Sequence, residues 1–190
     1  MLLTFDDGPH PQITPAVLEC LARFEARALF FVVGNRIDRA PDLLARILER
    51  GHLLGNHSFA HPLDRKMSLR EYAADLVRAQ EEIHRRCGHR PLFHRPPLGR
   101  LSPATLLPPL RLGLTTVHWS RSSEDWRLRH QPDTIQAVRQ AASNLGSTVQ
   151  PRDIVLFHDE SEPTVALLHQ LLPTLRERGL RFDPAIHAIH

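Results

Sequence analysis

Short apolar runs of strand length alternate along the chain with stretches whose apolar residues recur every three or four positions. The strand-like runs are Leu2–Phe5, Ala28–Val33, His52–Gly55, Leu92–Arg95, Leu114–Trp119, Ile154–His158 and Leu180–Phe182. Between them, Leu69, Tyr72, Ala73 and Leu76 follow helical spacing behind Ser68-Leu69-Arg70-Glu71, a capping-box signature. Thr14-Pro15 and Ser102-Pro103 each put a capping hydroxyl before a proline at the first helical position. Gly51, Gly88, Gly146 and Gly179 fall where helices should stop, and Pro173 should kink or interrupt the last one. Alternation of this kind predicts an α/β fold with a parallel sheet. About seven strands leave a closed eight-unit barrel incomplete, so a distorted, incomplete (β/α) barrel is expected. The stretch Arg121–Asp133 is the longest irregular segment and a candidate groove wall.

Bulk properties narrow the class without naming a chemistry. At 190 residues and 42% hydrophobic content, the chain suits one domain over 1–190 with a core that needs no disulfide or metal staple. The formal charge is only +3, and arginines sit among acidic neighbours, as in Arg46-Ile47-Leu48-Glu49-Arg50. No basic stripe with interleaved aromatics points to nucleic acid. No apolar run reaches membrane-spanning length and no signal peptide is visible, the first strand beginning at Met1 itself. Cys20 and Cys87 read as buried small hydrophobes and not as a disulfide framework.

The chemistry gathers at strand ends. Asp6 and Asp7 follow the first strand, His57 and His61 the third, Arg95 ends the fourth, Asp125 and Trp126 follow the fifth, and His158 ends the sixth. Loops after the carboxyl ends of barrel strands form one face, where barrel enzymes keep their chemistry. Adjacent carboxylates raise each other's pKa, a cost that a cation removes. Asp-Gly-Pro is also a good turn sequence, but a turn does not require the second Asp. Two histidines four apart can face the same way on a helical turn. With one Asp they make three ligands and an open position, the usual catalytic zinc arrangement, and leave the other Asp for chemistry. In Arg95-Pro96-Pro97-Leu98-Gly99 the prolines fix the backbone so that Arg95 points inward. His84, His89, His130 and His169 carry no spacing that asks for a role.

Thr4-Phe5-Asp6-Asp7-Gly8-Pro9, His57-Ser58-x-x-His61, Arg95-Pro96-Pro97-x-Gly99, Asp125-Trp126 and Leu156-x-His158 together resemble the five ordered motifs of the polysaccharide deacetylases, the NodB-homology or family-four carbohydrate esterases. The resemblance covers essentially the whole chain. It implies a metal-dependent hydrolase that removes acetyl groups from N-acetylated sugars of peptidoglycan or a chitin-like glycan. It makes Asp6 the general base, Asp7, His57 and His61 the metal ligands, and His158 the general acid. Arg95 would hold Asp6, Asp125 would hold His158, Leu98 would offer its backbone N–H to the oxyanion, and Trp126 and Leu156 would line the acetyl pocket. The implied cofactor is a divalent ion, Zn2+ first and Co2+ next. The implied partner is an N-acetylated glycan, which favours an extracellular or cell-envelope location. The family usually has an aromatic residue at Leu98 and often an Asp in the segment Trp119–Ser122, so the sugar groove of this chain is altered. A non-catalytic carbohydrate-binding module on the same fold and a small-amide hydrolase are the alternative readings.

Overall fold

The computed structural model of the chain describes residues 1–62, 67–128 and 130–182. Among the described residues seven strands and seven α-helices follow one another: β1 Leu2–Gly8, α1 Ile13–Arg23, β2 Ala28–Val32, α2 Leu43–Glu49, β3 Leu53–Asn56, α3 Leu69–Cys87, β4 Phe93–His94, α4 Pro103–Arg111, β5 Thr115–Thr116, β6 Arg121–Ser122, α5 Asp125–Leu128, α6 Thr134–Thr148, β7 Ile154–His158 and α7 Glu162–Glu177. The strands form one sheet in the order β5-β4-β3-β2-β1-β7-β6, with β5 and β6 as its two edges. The pairs β3–β4, β4–β5 and β6–β7 are parallel. This is the α/β pattern of an incomplete (β/α) barrel. No helix among the described residues is long and apolar enough to cross a membrane.

The chain divides into two compact units. One comprises residues 6–9 and 30–118, from the end of β1 to β5. Its longest helix, α3, opens on the expected capping box: Ser68 Oγ accepts from Glu71 N–H and Glu71 accepts from Ser68 N–H. The helix turns Tyr72, Leu76, Ala79 and Ile83 into the core and ends at Gly88, whose φ of 69° only a glycine adopts cheaply. Ser102 caps α4 as its sequence predicts, with Pro103 at the first helical position.

The other unit comprises residues 1–5, 10–29 and the chain from Trp119 onward. Phe5 and Phe157, on β1 and β7, stack with centroids 5.4 Å apart in its core. Several expectations are corrected here. Leu180–Phe182 is not a strand; Phe182 is buried and its carbonyl accepts from Arg27 N–H. The strand that the sequence reading missed is β6, Arg121–Ser122, inside the segment read as irregular, which also holds α5; position 129 of that segment lies outside the described residues. Two residues carry too short a periodicity to register as a strand.

Thr14 does not cap α1. The His10 ring nitrogen accepts from Gln12 and Ile13 N–H instead, and the Thr14 hydroxyl reaches Asp159 at 2.5 Å. Gly146 lies within α6 and not at its end: a Cβ there would stand 3.3 Å from Thr174 on α7, so the glycine serves helix contact. Helix α7 runs on through Pro173. Both cysteines are free thiols, and burial pushes Cys20 up to about 11.

Candidate active site and metal centre

Consecutive side chains on a strand point to opposite faces. Asp6 and Asp7 escape that rule because Asp7 takes a φ of 75°. A left-handed backbone at a non-glycine costs on the order of 1 kcal/mol or more and marks a constrained position. The result is that both carboxylates reach one imidazole. His57 Nε2 lies 3.7 Å from Asp6 Oδ2 and 3.6 Å from Asp7 Oδ1. His61 Nε2 stands 2.9 Å from the same Asp7 oxygen. The ligand-capable atoms of Asp7, His57 and His61 all lie within 4.8 Å of one another.

The two histidines do not sit on a helical turn, as their spacing suggested. They lie in a loop after β3 with φ of 68° at Ser58 and 47° at His61, and their ring centroids are 5.0 Å apart. Side chains behind the loop hold it. Asp75, on the buried face of α3, accepts from Phe59 N–H at 2.7 Å and from Ala60 N–H at 3.1 Å. Asn56 Oδ1 accepts from Ser58 N–H, while its amide donates to Leu76 O. Ser58 Oγ accepts from His61 N–H. Gly34 sits so close that a Cβ there would meet the Phe59 ring at 2.5 Å.

This donor set fits a divalent cation. His57 Nδ1 is 2.8 Å from Arg95 O, which can only accept, so Nδ1 carries the ring proton and Nε2 presents its lone pair toward Asp7 and His61. Burial holds the His57 imidazole below its usual range, against the pull of Asp6 and Asp7, which keeps it in the neutral form that ligates. One carboxylate and two imidazoles suit zinc and its neighbours.

Asp6 is 4% exposed and Arg95 is wholly buried. Arg95 Nη1 donates to Asp6 Oδ1 at 2.8 Å. Its Nε and Nη2 donate to Val117 O and His118 O at 2.9 and 3.1 Å, and the guanidinium lies 4.2 Å above the Phe31 ring. A buried charge needs this degree of satisfaction. Leu98 follows in a 3-10 turn, with a φ of 57° and a half-exposed side chain.

In the other unit, Asp125 is fully buried and holds His158 twice. Asp125 Oδ1 is 2.7 Å from His158 Nδ1, and Oδ2 accepts from His158 N–H at 2.8 Å. Thr164 Oγ1, on α7, lies 2.5 Å from Oδ2, and Trp126 N–H donates to Oδ1. The carboxylate so fixes the Nδ1–H tautomer of His158. Trp126 is half-exposed and lies beneath Arg127, while Leu156 is buried in β7. The structure thus brings Asp6, Asp7, His57, His61 and Arg95 together in one unit, with Leu98 in the same unit, and Asp125, Trp126, Leu156 and His158 in the other.

With that geometry in view, the comparisons with known proteins are decisive. The model of the polysaccharide deacetylases matches residues 1–117. A peptidoglycan-N-acetylglucosamine deacetylase of Bacillus cereus is 35% identical over 185 residues, covering 95% of this chain and 83% of that protein. The chain belongs to the polysaccharide deacetylase family. A peptidoglycan-N-acetylglucosamine deacetylase of Listeria monocytogenes is also 35% identical, over 180 residues, but the chain spans only 36% of its length. Among solved structures, a polysaccharide deacetylase from Bacillus cereus superposes with a TM-score of 0.86 at 30% identity, covering 96% of this chain and 89% of that one.

Within that family's motif framework the chain carries supports that the motifs themselves did not reveal. Asn56, Asp75 and Thr164 each fix a motif residue or its loop. Only Asp75 left a signal in the sequence: an acid three residues after Tyr72, on the apolar face of an otherwise regular amphipathic helix. Thr164 has no such mark, since its partner lies far away in sequence.

Proposed function

We propose that residues 1–190 form a single catalytic domain that hydrolyses the acetamide of N-acetylated sugars in a glycan, with the N-acetylglucosamine of peptidoglycan as the first candidate. The observation that carries this reading is the Asp7–His57–His61 cluster with Asp6 beside it, held separately by Arg95. Relatives named as peptidoglycan-N-acetylglucosamine deacetylases support the substrate, and with it an extracellular or cell-envelope location.

Asp7, His57 and His61 are the ligands, and Zn2+ is the ion their chemistry suits first, with Co2+ as a substitute. Such an ion supplies a Lewis acid and lowers the pKa of water to about 7. Asp6 is the base that takes the proton from the attacking water. Arg95 holds Asp6 in place through Oδ1, which leaves Oδ2, not engaged by Nη1, to face the water. The Leu98 N–H donates to the oxyanion of the tetrahedral intermediate, a contact of a kind worth about 3–4 kcal/mol. His158 gives its Nε2 proton to the departing sugar amine, and Asp125 stabilises the imidazolium from the Nδ1 side. Trp126 and Leu156 are assigned to the acetyl methyl. An amide requires this acid more than an ester does, because an unprotonated amine leaves poorly.

The test is acetate release from N-acetylated peptidoglycan fragments. Release should stop on chelation, return on adding Zn2+ or Co2+, and vanish in Asp6→Asn. Equal release from chelated and reloaded protein would overturn the reading.

A further inference from the structure

Helix α4 is amphipathic the wrong way round. Pro103, Leu106, Leu107 and Leu110 recur at helical spacing and form one exposed stripe, while Pro108 and Pro109 face the protein. Leu110 is 71% exposed, and Leu101, just before the helix, is 57% exposed. Leu112, just after it, is exposed as well. Single exposed leucines are ordinary, but a helix that turns a stripe of them outward gains no burial energy from them in the fold, and a contiguous exposed apolar stripe is a feature of interaction surfaces.

Charge indicates what covers it. From Ile83 to His118 the chain has no acidic residue, and Arg90, Arg100 and Arg111 are exposed within that stretch. Two copies of the chain meeting on this face would bring arginine onto arginine. An anionic surface would not. At the amino-terminal end of the same helix lies an apolar cavity of about 830 Å3, lined by Met67, Leu69, Tyr72, Pro97 and Leu101 among others. That volume has room for part of an acyl chain, which a soluble polyanion does not possess.

We propose that the outward face of α4 docks this protein onto an anionic lipid bilayer surface, with Leu106, Leu107 and Leu110 entering the headgroup boundary and Arg100 and Arg111 meeting lipid phosphates. Interfacial binding of this kind needs both signals, because either apolar insertion or charge alone holds only weakly. It requires no spanning helix.

The experiment is co-sedimentation of the full chain with phosphatidylcholine vesicles, with and without phosphatidylglycerol. Binding should appear with phosphatidylglycerol and weaken as salt rises. The double variant Leu107→Gln/Leu110→Gln should lose about tenfold or more in vesicle affinity, with its melting temperature and its acetate release from soluble fragments unchanged. Arg100→Gln/Arg111→Gln should weaken binding to the phosphatidylglycerol vesicles and flatten the salt dependence. Failure of the parent chain to bind phosphatidylglycerol vesicles overturns the proposal. So does a leucine variant that binds as well as the parent, which would mean charge adsorption alone. A lipid-free dimer that the leucine variant abolishes, without vesicle binding by the parent, would assign the face to a second copy instead.

Discussion

Asp75 accepts hydrogen bonds from the backbone N–H groups of both Phe59 and Ala60, and so anchors the loop that carries His57 and His61 to helix α3. Removing that carboxylate orphans two amides at a cost of about 1–3 kcal/mol each. Groups that orient ligands without touching the metal are commonly worth about 10–100-fold in metal affinity. Asp75→Ala is therefore expected to lower the melting temperature and to weaken Zn2+ binding by about that factor, measured by competition with a chromophoric chelator. An unchanged Zn2+ affinity would show that the loop holds its shape without α3.

The buried Asp6–Arg95 pair makes a separate prediction about stability. Arg95→Met strands an uncompensated carboxylate and should cost about 3–5 kcal/mol, read as a shift of the urea midpoint. Arg95→Met/Asp6→Leu should recover much of that loss, since no buried charge is left. Additive single-variant effects would mean that the two groups do not stabilise each other.

The acid assigned to His158 predicts a difference between substrates. Asp125→Asn removes the charge that favours the imidazolium and should lower kcat on an N-acetyl sugar by about 10²–10⁴-fold. An aryl acetate, whose leaving group needs no proton, should lose far less. Equal losses on amide and ester would remove His158 from the role of acid.

His94 predicts the pH dependence of folding. It is fully buried between Tyr72 and Thr116, and burial, reinforced by His57 and Arg95, pushes it down from 6.5 to about 3. Between those values the unfolded chain binds a proton that the folded chain does not. Stability from this group is therefore intact above about pH 6.5 and falls as pH falls toward about 3, by up to about 1.4 kcal/mol per pH unit. His94→Gln keeps a hydrogen-bonding side chain and does not titrate. Urea unfolding of this variant across that range should show a flatter acid slope than the parent.

Much of this was legible in the residues themselves. The adjacent aspartates, the paired histidines and the Arg-Pro-Pro segment identified the cluster because their chemistry is improbable at strand ends without a ligand. The capping box of α3 and the Ser102 cap of α4 were readable because a cap is a local exchange of hydrogen bonds. Where the sequence misled, the deciding interaction was distant or a backbone torsion. His57 and His61 are four apart, yet positive φ angles at Ser58 and His61, and not helical pitch, turn them together. Gly146 looks like a helix stop, but its missing side chain serves Thr174 on another helix. Strand β6 is two residues long and exists because Arg121 and Ser122 pair with Val155 and Leu156.

Arg95 engages the site with both of its ends: its guanidinium grips Asp6, and its own carbonyl receives His57 Nδ1–H. The carboxylate proposed as base and one of the imidazoles proposed as ligands are thereby referenced to a single residue. A small displacement of the main chain at the end of β4 must shift them in concert. Any redesign of the site would best leave that strand end alone and alter the half-exposed positions around it.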